Sequence, residues 1–200
     1  MNPAVVIPRW SVAVVVGLTA LAAGFGGNVV SSRRAAANDY LPSGSAAPRS
    51  GRELVLVYIG AAGCSWSNRP GLADAVKNVK VILSDSAARA HRPFSAIGVA
   101  RDWATSDAVG HLAKFGRFDE LAVGNNWQNA AIQRYVWSDI PGPASTPQVV
   151  ILERTVGSHP DTGLEDAPYV ISDERLILRV TGYYDIIRWA EAGAPLPRAP

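Results

Sequence analysis

The candidate nucleophile in this sequence is a single thiol, Cys64, in the segment Gly60-Ala-Ala-Gly-Cys-Ser-Trp-Ser-Asn68. The thiolate is the nucleophilic form of cysteine, and a helix N-terminus, a hydrogen-bond donor or a nearby cation lowers the pKa of the thiol. A helix predicted beyond the loop, the Ser67 hydroxyl and the Arg69 guanidinium are candidates for these three influences. The alternative is that Cys64 is a small apolar residue packed beneath a loop, as most free cysteines are.

One cysteine also limits the chemistry, because it excludes an intramolecular disulfide and a zinc site built on several cysteines. The histidines show no ligand spacing, so we predict no metal: His91, His111 and His159. Five acidic residues are expected to form a solvated face at a hairpin loop: Asp161, Glu165, Asp166, Asp173 and Glu174. Gly124-Asn-Asn-Trp127 lacks the glycines and the lysine of a phosphate loop, and we predict no cofactor.

The composition describes an ordinary globular chain. It has 200 residues, a formal net charge of +2 and 48% hydrophobic residues. A chain of this hydrophobicity can build a core, so disorder is not expected. The small net charge argues against a nucleic-acid partner.

The apolar patterns alternate between strand and helix in a regular order. Strands are predicted at 54–59, 94–100, 118–123, 147–152 and 175–180, and helices at 72–83, 107–115, 126–136 and 184–192. Residues 117–146 are the least regular part and form an insert. The order β-α-β-α-insert-β-β-α predicts an α/β fold with a mixed central sheet flanked by helices.

Three segments resemble the thioredoxin-like superfamily. They are the strand that ends in Gly60-Ala-Ala-Gly-Cys-Ser-Trp-Ser67, the later Ser145-Thr-Pro-Gln-Val-Val-Ile-Leu152, and Leu176-Ile-Leu-Arg-Val-Thr-Gly182 before the last helix. The resemblance covers residues 53–192. It implies a thioredoxin-like fold in which Pro147 is cis and lies with Thr146 beside Cys64. Judged without the resemblance, the bond before Pro147 would be trans at a plain strand start.

The resemblance also defines which chemistry is missing. Dithiol exchange in that superfamily needs two cysteines three residues apart, and the second position here is Ser67. A cycling disulfide is therefore excluded, which leaves a monothiol cycle resolved by a small thiol or another protein, with Cys64, Ser67 and Pro147 as its site. Six residues before Cys64, where many thioredoxins bury a proton-relaying carboxylate, this chain has Tyr58.

Aromatic residues are the candidates for partner binding. Trp66 beside the thiol is expected to contact a partner together with Thr146, although Trp66 would instead be core if it folds inward. In the insert, the corresponding candidates are Trp127, Tyr135 and Trp137.

The N-terminal segment has its own character. Residues 10–30 form an apolar run of about 21 residues, which at about 1.5 Å rise per residue matches a bilayer core of about 30 Å. We predict a membrane anchor there, with a cleaved signal peptide ending near Ala20-Leu-Ala22 as the alternative. A flexible linker at 31–52, a domain at 53–192 and a Pro-rich tail at 193–200 follow, with the bulk of the chain expected on the extracytoplasmic side.

Two functions fit these features. The first is a membrane-anchored accessory subunit that lacks dithiol chemistry and stabilises a membrane protein complex. The alternative is a monothiol thiol-disulfide oxidoreductase or isomerase that acts on extracytoplasmic proteins through Cys64.

Overall fold

The central strand of the fold is β1, Gly51–Gly60, which is buried from Glu53 onward. Its near-continuous apolar sequence requires cover on both faces of the sheet. The structure is a computed structural model that describes residues 51–157 and 170–197. The predicted anchor at 10–30, nearly all of the predicted linker, and residues 198–200 of the predicted tail lie outside the described residues.

The sheet has five strands in the order β3-β2-β1-β4-β5. Strand β2, Phe94–Ala100, is parallel to β1, and β3, Glu120–Ala122, is parallel to β2. Strand β4, Gln148–Gly157, runs antiparallel to β1, and β5, Val170–Thr181, runs antiparallel to β4. The mixed sheet predicted from the sequence is confirmed, with one parallel half and one hairpin half.

Three helices cover one face of the sheet. Helix α1 spans Leu72–Arg89, α2 spans Thr105–Ala113 and α3 spans Tyr183–Glu191. Each contributes buried side chains to a core that also contains Leu56 and Tyr58 of β1. Three of the four predicted helices are thus confirmed, and α1 continues six residues beyond its predicted end at Leu83.

The insert forms the second layer of the fold. The single helix predicted at 126–136 is wrong: the segment contains a 3₁₀ turn at Asn126–Gln128, one α-helical turn at Ala130–Ile132 and a π-helical turn at Gln133–Trp137. Left-handed backbone at the preceding Gly124 and Asn125 continues into Asn126, with φ values of 86°, 57° and 50°, and this conformation cannot begin a regular α-helix. The insert packs its apolar residues against the face of the sheet opposite the helices.

Burial corrects the prediction for one aromatic residue of the insert. Tyr135 is 0% exposed and packs against the sheet together with Ile132 and Val136, so it cannot face a partner. The Arg179 guanidinium of β5 fixes this turn by donating to the carbonyl oxygens of Tyr135 at 2.9 Å and Ile140 at 2.8 Å.

Two of the acidic residues assigned to a hairpin loop belong to strand β5 instead. Asp173 and Glu174 lie within the strand, and the Glu174 carboxylate is almost fully buried beside Arg134, with an Oε2 to Nε distance of 2.8 Å. The expected solvated face is therefore wrong for Glu174. His159 and the remaining acidic residues of the loop lie outside the described residues.

The C-terminal segment begins as part of the core. Ala194 is buried, and the Trp189 indole nitrogen donates to the carbonyl oxygen of Pro195 at 3.0 Å. Among the helices in the described ranges, none combines the length and apolar character needed to cross a membrane.

A buried ion pair fastens β4 to β1 beneath the insert layer. Arg154 Nε lies 3.1 Å from Glu53 Oε2, and the two side chains are 1% and 4% exposed. The Ser95 hydroxyl donates to the other carboxylate oxygen of Glu53. Burial of either charge without the other is costly, because neither group can be solvated by water.

We predict that Glu53→Leu lowers the free energy of unfolding by about 3 to 5 kcal/mol, because it leaves the Arg154 guanidinium buried and uncompensated. Adding Arg154→Met should recover much of this loss. The control is Asp74→Ala, which removes an exposed pair with Lys77 and should cost under about 1 kcal/mol. Chemical unfolding of the full chain measures all three, and equal losses for the single and double variants would contradict the prediction.

Candidate functional site

Cys64 lies in the loop that follows β1, at the edge of the sheet where β1 and β2 both end. The thiol is half-buried, so it is neither a packed core residue nor a freely exposed one. A 3₁₀ turn at Trp66–Asn68 follows it, and the regular helix α1 begins only at Leu72. The late helix start predicted from the sequence is confirmed.

Two polar side chains hold the loop in shape. The Asp102 carboxylate accepts from the Ala62 amide at 3.0 Å and the Gly63 amide at 3.4 Å. The Asn68 amide donates to the carbonyl oxygens of Ala62 at 2.8 Å and Cys64 at 2.7 Å. These contacts satisfy backbone groups that the loop would otherwise leave unpaired.

Sequence reasoning missed both Asp102 and Asn68. A signal for Asp102 was present, since it follows β2 directly, and the ends of adjacent parallel strands meet at the same edge of a sheet. Nothing comparable identified Asn68, whose role depends on the fold of the loop itself.

The segment before β4 completes the site. The Thr146–Pro147 peptide bond is cis, as the resemblance implied. The Cys64 thiol donates to the Thr146 carbonyl oxygen, with 3.5 Å between sulfur and oxygen. The structure therefore brings Cys64 and Thr146 together although 82 residues separate them in the chain.

The pKa of Cys64 lies below that of an ordinary thiol. Burial raises this pKa, but the side chains of Thr146 and Ser67 and the amides of Ser67 and Trp66 lower it by more, because they donate toward the thiolate. The contact from the thiol to the Thr146 carbonyl works the other way, since it stabilises the protonated form. The net direction favours a reactive sulfur.

Arg69 does not act on the sulfur as the sequence suggested. Its guanidinium lies 4.2 Å from the Trp66 ring centre and donates to the Tyr184 hydroxyl at 3.0 Å. Trp66 is 44% exposed and meets Tyr184 edge to face, so it is not a core residue. Trp66, Arg69 and Tyr184 form a surface next to the thiol, which we call the aromatic rim.

A buried pair lies beneath the loop. The Tyr58 hydroxyl lies 3.3 Å from Nε2 of His111, and both side chains are fully buried. In the sequence, His111 was only a histidine without ligand spacing. It lies three residues after Ala108 and four before Phe115, and this helical spacing to two buried residues could have placed it in the core.

The insert contributes a second group of exposed aromatic residues. The ring centres of Trp127 and Trp137 are 5.8 Å apart, and the Arg101 guanidinium lies 5.0 Å from the Trp127 ring. Trp137 is exposed, and so is Trp103 in the loop after β2. Among the described residues, no group of three potential metal ligands converges.

The sheet order, the thiol after β1 and the cis-proline before β4 define the class: a mixed α/β domain, with the placement of Cys64 and Pro147 that the sequence resemblance implied. No protein-family model matches the sequence, and no curated protein is similar to it at a significant level. A solved thioredoxin domain of a thiol-disulfide oxidoreductase from Bacteroides vulgatus is similar over 76% of this chain and 98% of that chain, with 17% identity and a TM-score of 0.36. A likeness this distant says nothing about activity.

We predict that Cys64 in the folded chain is alkylated by iodoacetamide with an apparent pKa below the ordinary thiol value of about 8.5. The donors around the sulfur exist only in the folded state, so the chain unfolded in urea should titrate at the ordinary value. Because the chain has one cysteine, the rate of alkylation against pH reports on this residue alone. Identical profiles for the folded and unfolded chains would contradict the prediction.

Proposed function

We propose that this protein captures partner polypeptides by monothiol thiol-disulfide exchange at Cys64. The observation that carries the proposal is the environment of the sulfur, which is half-buried, surrounded by donors that lower its pKa, and 3.5 Å from the Thr146 carbonyl oxygen. A cysteine that served only as a small apolar residue would not need these donors.

The first step is attack of the Cys64 thiolate on one sulfur of a partner disulfide. A bond forms between the two sulfurs as the partner's own disulfide bond breaks. The other partner sulfur leaves as a thiolate and takes a proton from water. The product is a mixed disulfide between this chain and the partner.

Resolution must come from a second molecule, because Ser67 has a hydroxyl where a resolving thiol would stand. A small thiol, or another thiol of the partner, attacks the partner sulfur of the mixed disulfide. The partner keeps the new bond, and Cys64 leaves as a thiolate. Until that attack, the partner stays covalently attached, so the same site can serve as a holding device.

The aromatic rim supports binding of a polypeptide next to the thiol. Trp66 and Tyr184 offer large rigid surfaces, and stacking fixes the Arg69 guanidinium between them. Within the described residues, no carboxylate forms an ion pair with Arg69 in the structure. Aromatic residues and arginine are the side chains that most often carry binding energy at protein interfaces.

A place at a membrane is part of the proposal and rests on the sequence alone. The apolar run at 10–30 would anchor the chain, and the linker would connect the anchor to β1. The start of β1 and Cys64 lie at opposite ends of the sheet. On a chain anchored in this way, the thiol would act on extracytoplasmic partners.

A second candidate function is an accessory subunit that binds partners without covalent chemistry. The observation that favours it is the second aromatic group, in which Trp127 and Trp137 meet edge to face on the insert and Trp137 is exposed. This group lies on the opposite layer from the aromatic rim and does not involve the thiol.

We predict that the full chain forms a lasting mixed disulfide with a peptide whose single cysteine is linked to an aromatic thiol. The aromatic thiol is expelled, and mass spectrometry should detect the adduct on Cys64 until glutathione is added. Ser67→Cys should shorten its lifetime, because the new thiol attacks the Cys64 sulfur and expels the peptide. The control Cys64→Ser should form no adduct, and failure of the unaltered chain to form one would overturn the proposal.

The two functions differ in their response to Cys64→Ala. Monothiol capture predicts that this variant loses its partner complexes in detergent extracts, whereas Trp137→Ala retains them. The accessory function predicts the reverse. Size analysis of both variants beside the unaltered chain therefore decides between the two candidates.

A further inference from the structure

A cavity lies at the end of the sheet opposite Cys64, between the last turn of helix α1 and strands β4 and β5. Its volume is about 340 Å³, and its apolar lining includes Leu54, Ala87, Leu176 and Leu196. Binding sites for small molecules in proteins have volumes of about 300 to 1,000 Å³. The cavity is therefore large enough to hold the apolar part of a small organic molecule.

Three arginine side chains surround one carboxylate at the wall of this cavity. Glu153 Oε2 lies 2.6 Å from Nη2 of Arg92. Glu153 Oε1 lies 3.3 Å from Nη2 of Arg175 and 3.5 Å from Nη1 of Arg52. Burial raises the pKa of Glu153, but the three guanidiniums lower it by more, so the carboxylate is charged at neutral pH. Three positive charges around one negative charge leave a surplus of two.

The arginines have donors that the carboxylate does not use. A guanidinium has five N–H groups, and in the described part of the chain Arg92 and Arg175 each direct one terminal nitrogen to Glu153. Arg92 Nε is buried without a hydrogen-bond partner among the described residues. The Arg175 side chain is 54% exposed, and both arginines line the cavity. Because buried polar groups normally have a partner, Arg92 is a candidate donor to a bound anion.

We propose that this cavity binds an amphiphilic phosphomonoester, whose phosphate lies against Arg92 and Arg175 and whose apolar group packs in the cavity. A phosphomonoester carries about −1.5 to −2 charges at pH 7, which matches the surplus at the cluster. The planar guanidinium also matches the geometry of phosphate oxygens. A carboxylate ligand has a single negative charge and would leave half of the surplus uncompensated. The inference goes beyond the proposed function, because this cavity does not involve the thiol.

The apolar lining requires an organic group on the phosphate. Each CH₂ group that leaves water for an apolar site strengthens binding by up to about four-fold. Inorganic phosphate could contact the arginines but would gain nothing from Leu54, Leu176 or Leu196. An alkyl phosphate uses both parts of the cavity, whereas an alcohol of the same length uses only the apolar part.

Calorimetric titration of the full chain in a neutral detergent with hexyl phosphate tests the site. Arg175→Gln should weaken binding by about ten-fold or more, because it removes a charged donor to the phosphate. The matched control is Arg188→Gln, since Arg188 lies on α3 outside the cavity lining and forms an ion pair with Asp185. This control should leave the affinity unchanged. Hexanol and inorganic phosphate should each bind at least about ten-fold more weakly than hexyl phosphate.

A soluble phosphomonoester and a bilayer lipid with a phosphomonoester head group offer the same chemistry. Titration of the full chain in zwitterionic vesicles that contain phosphatidic acid distinguishes the two sources. The control vesicles contain phosphatidylglycerol, whose phosphate is a diester. Weaker binding of hexyl phosphate with phosphatidic acid alone supports a lipid in the cavity, and equal binding in both vesicles supports a soluble ligand.

A second variant keeps the inference testable if Arg175→Gln fails to fold. Ser86 is exposed on α1 and lines the cavity, so Ser86→Phe should obstruct the hexyl group and weaken binding. Ala88→Phe, at an exposed position of the same helix outside the cavity lining, is its control. The inference is overturned if hexyl phosphate does not bind, if inorganic phosphate binds as tightly, or if Arg175→Gln and Ser86→Phe leave the affinity unchanged. None of these results bears on the exchange at Cys64.

Discussion

Burial of β1 on both faces is the constraint on which the rest of this structure depends. The strand lies between a parallel neighbour and an antiparallel one, so its backbone groups are paired on both sides. Its side chains need apolar cover on each face, which the helices supply on one side and the insert on the other. The polar loop containing Cys64 can then emerge only beyond the end of the strand, where Asp102 and Asn68 satisfy its backbone.

Some residues of the insert cover the sheet, and others lie on the protein surface. Its alternation of aromatic and aliphatic residues looks like a binding surface in the sequence, because several large rings occur close together. In the fold, Tyr135 and Val136 supply cover for β1, whereas Trp137 faces solvent. The segment therefore cannot be removed as an appendage, since its loss would leave one face of the sheet exposed to water.

Local patterns predicted the strands and helices well, because apolar periodicity reflects burial directly. The order of elements also followed from these patterns, whereas the cis bond before Pro147 followed only from the family resemblance. The broken helix of the insert did not, since left-handed backbone at Asn125 and Asn126 depends on contacts such as the amide of Asn126 with the Asp102 carbonyl. Likewise, the burial of Glu174 could not be predicted from its local sequence, because it depends on a partner, Arg134, that lies 40 positions earlier in the chain.

The residues at positions 58 and 67 can both be explained by the charges that a thiol site can tolerate. A resolving thiol would need a base to remove its proton, and a buried carboxylate at position 58 could act as one, but its charge would also repel the thiolate of Cys64. This chain has Ser67 in place of the resolving thiol and Tyr58 in place of such a carboxylate. With no second thiol to deprotonate, an uncharged phenol costs the site nothing and avoids the repulsion. The two departures from a dithiol site are thus consistent with one another, because the absence of the resolving thiol removes the need for a base at position 58.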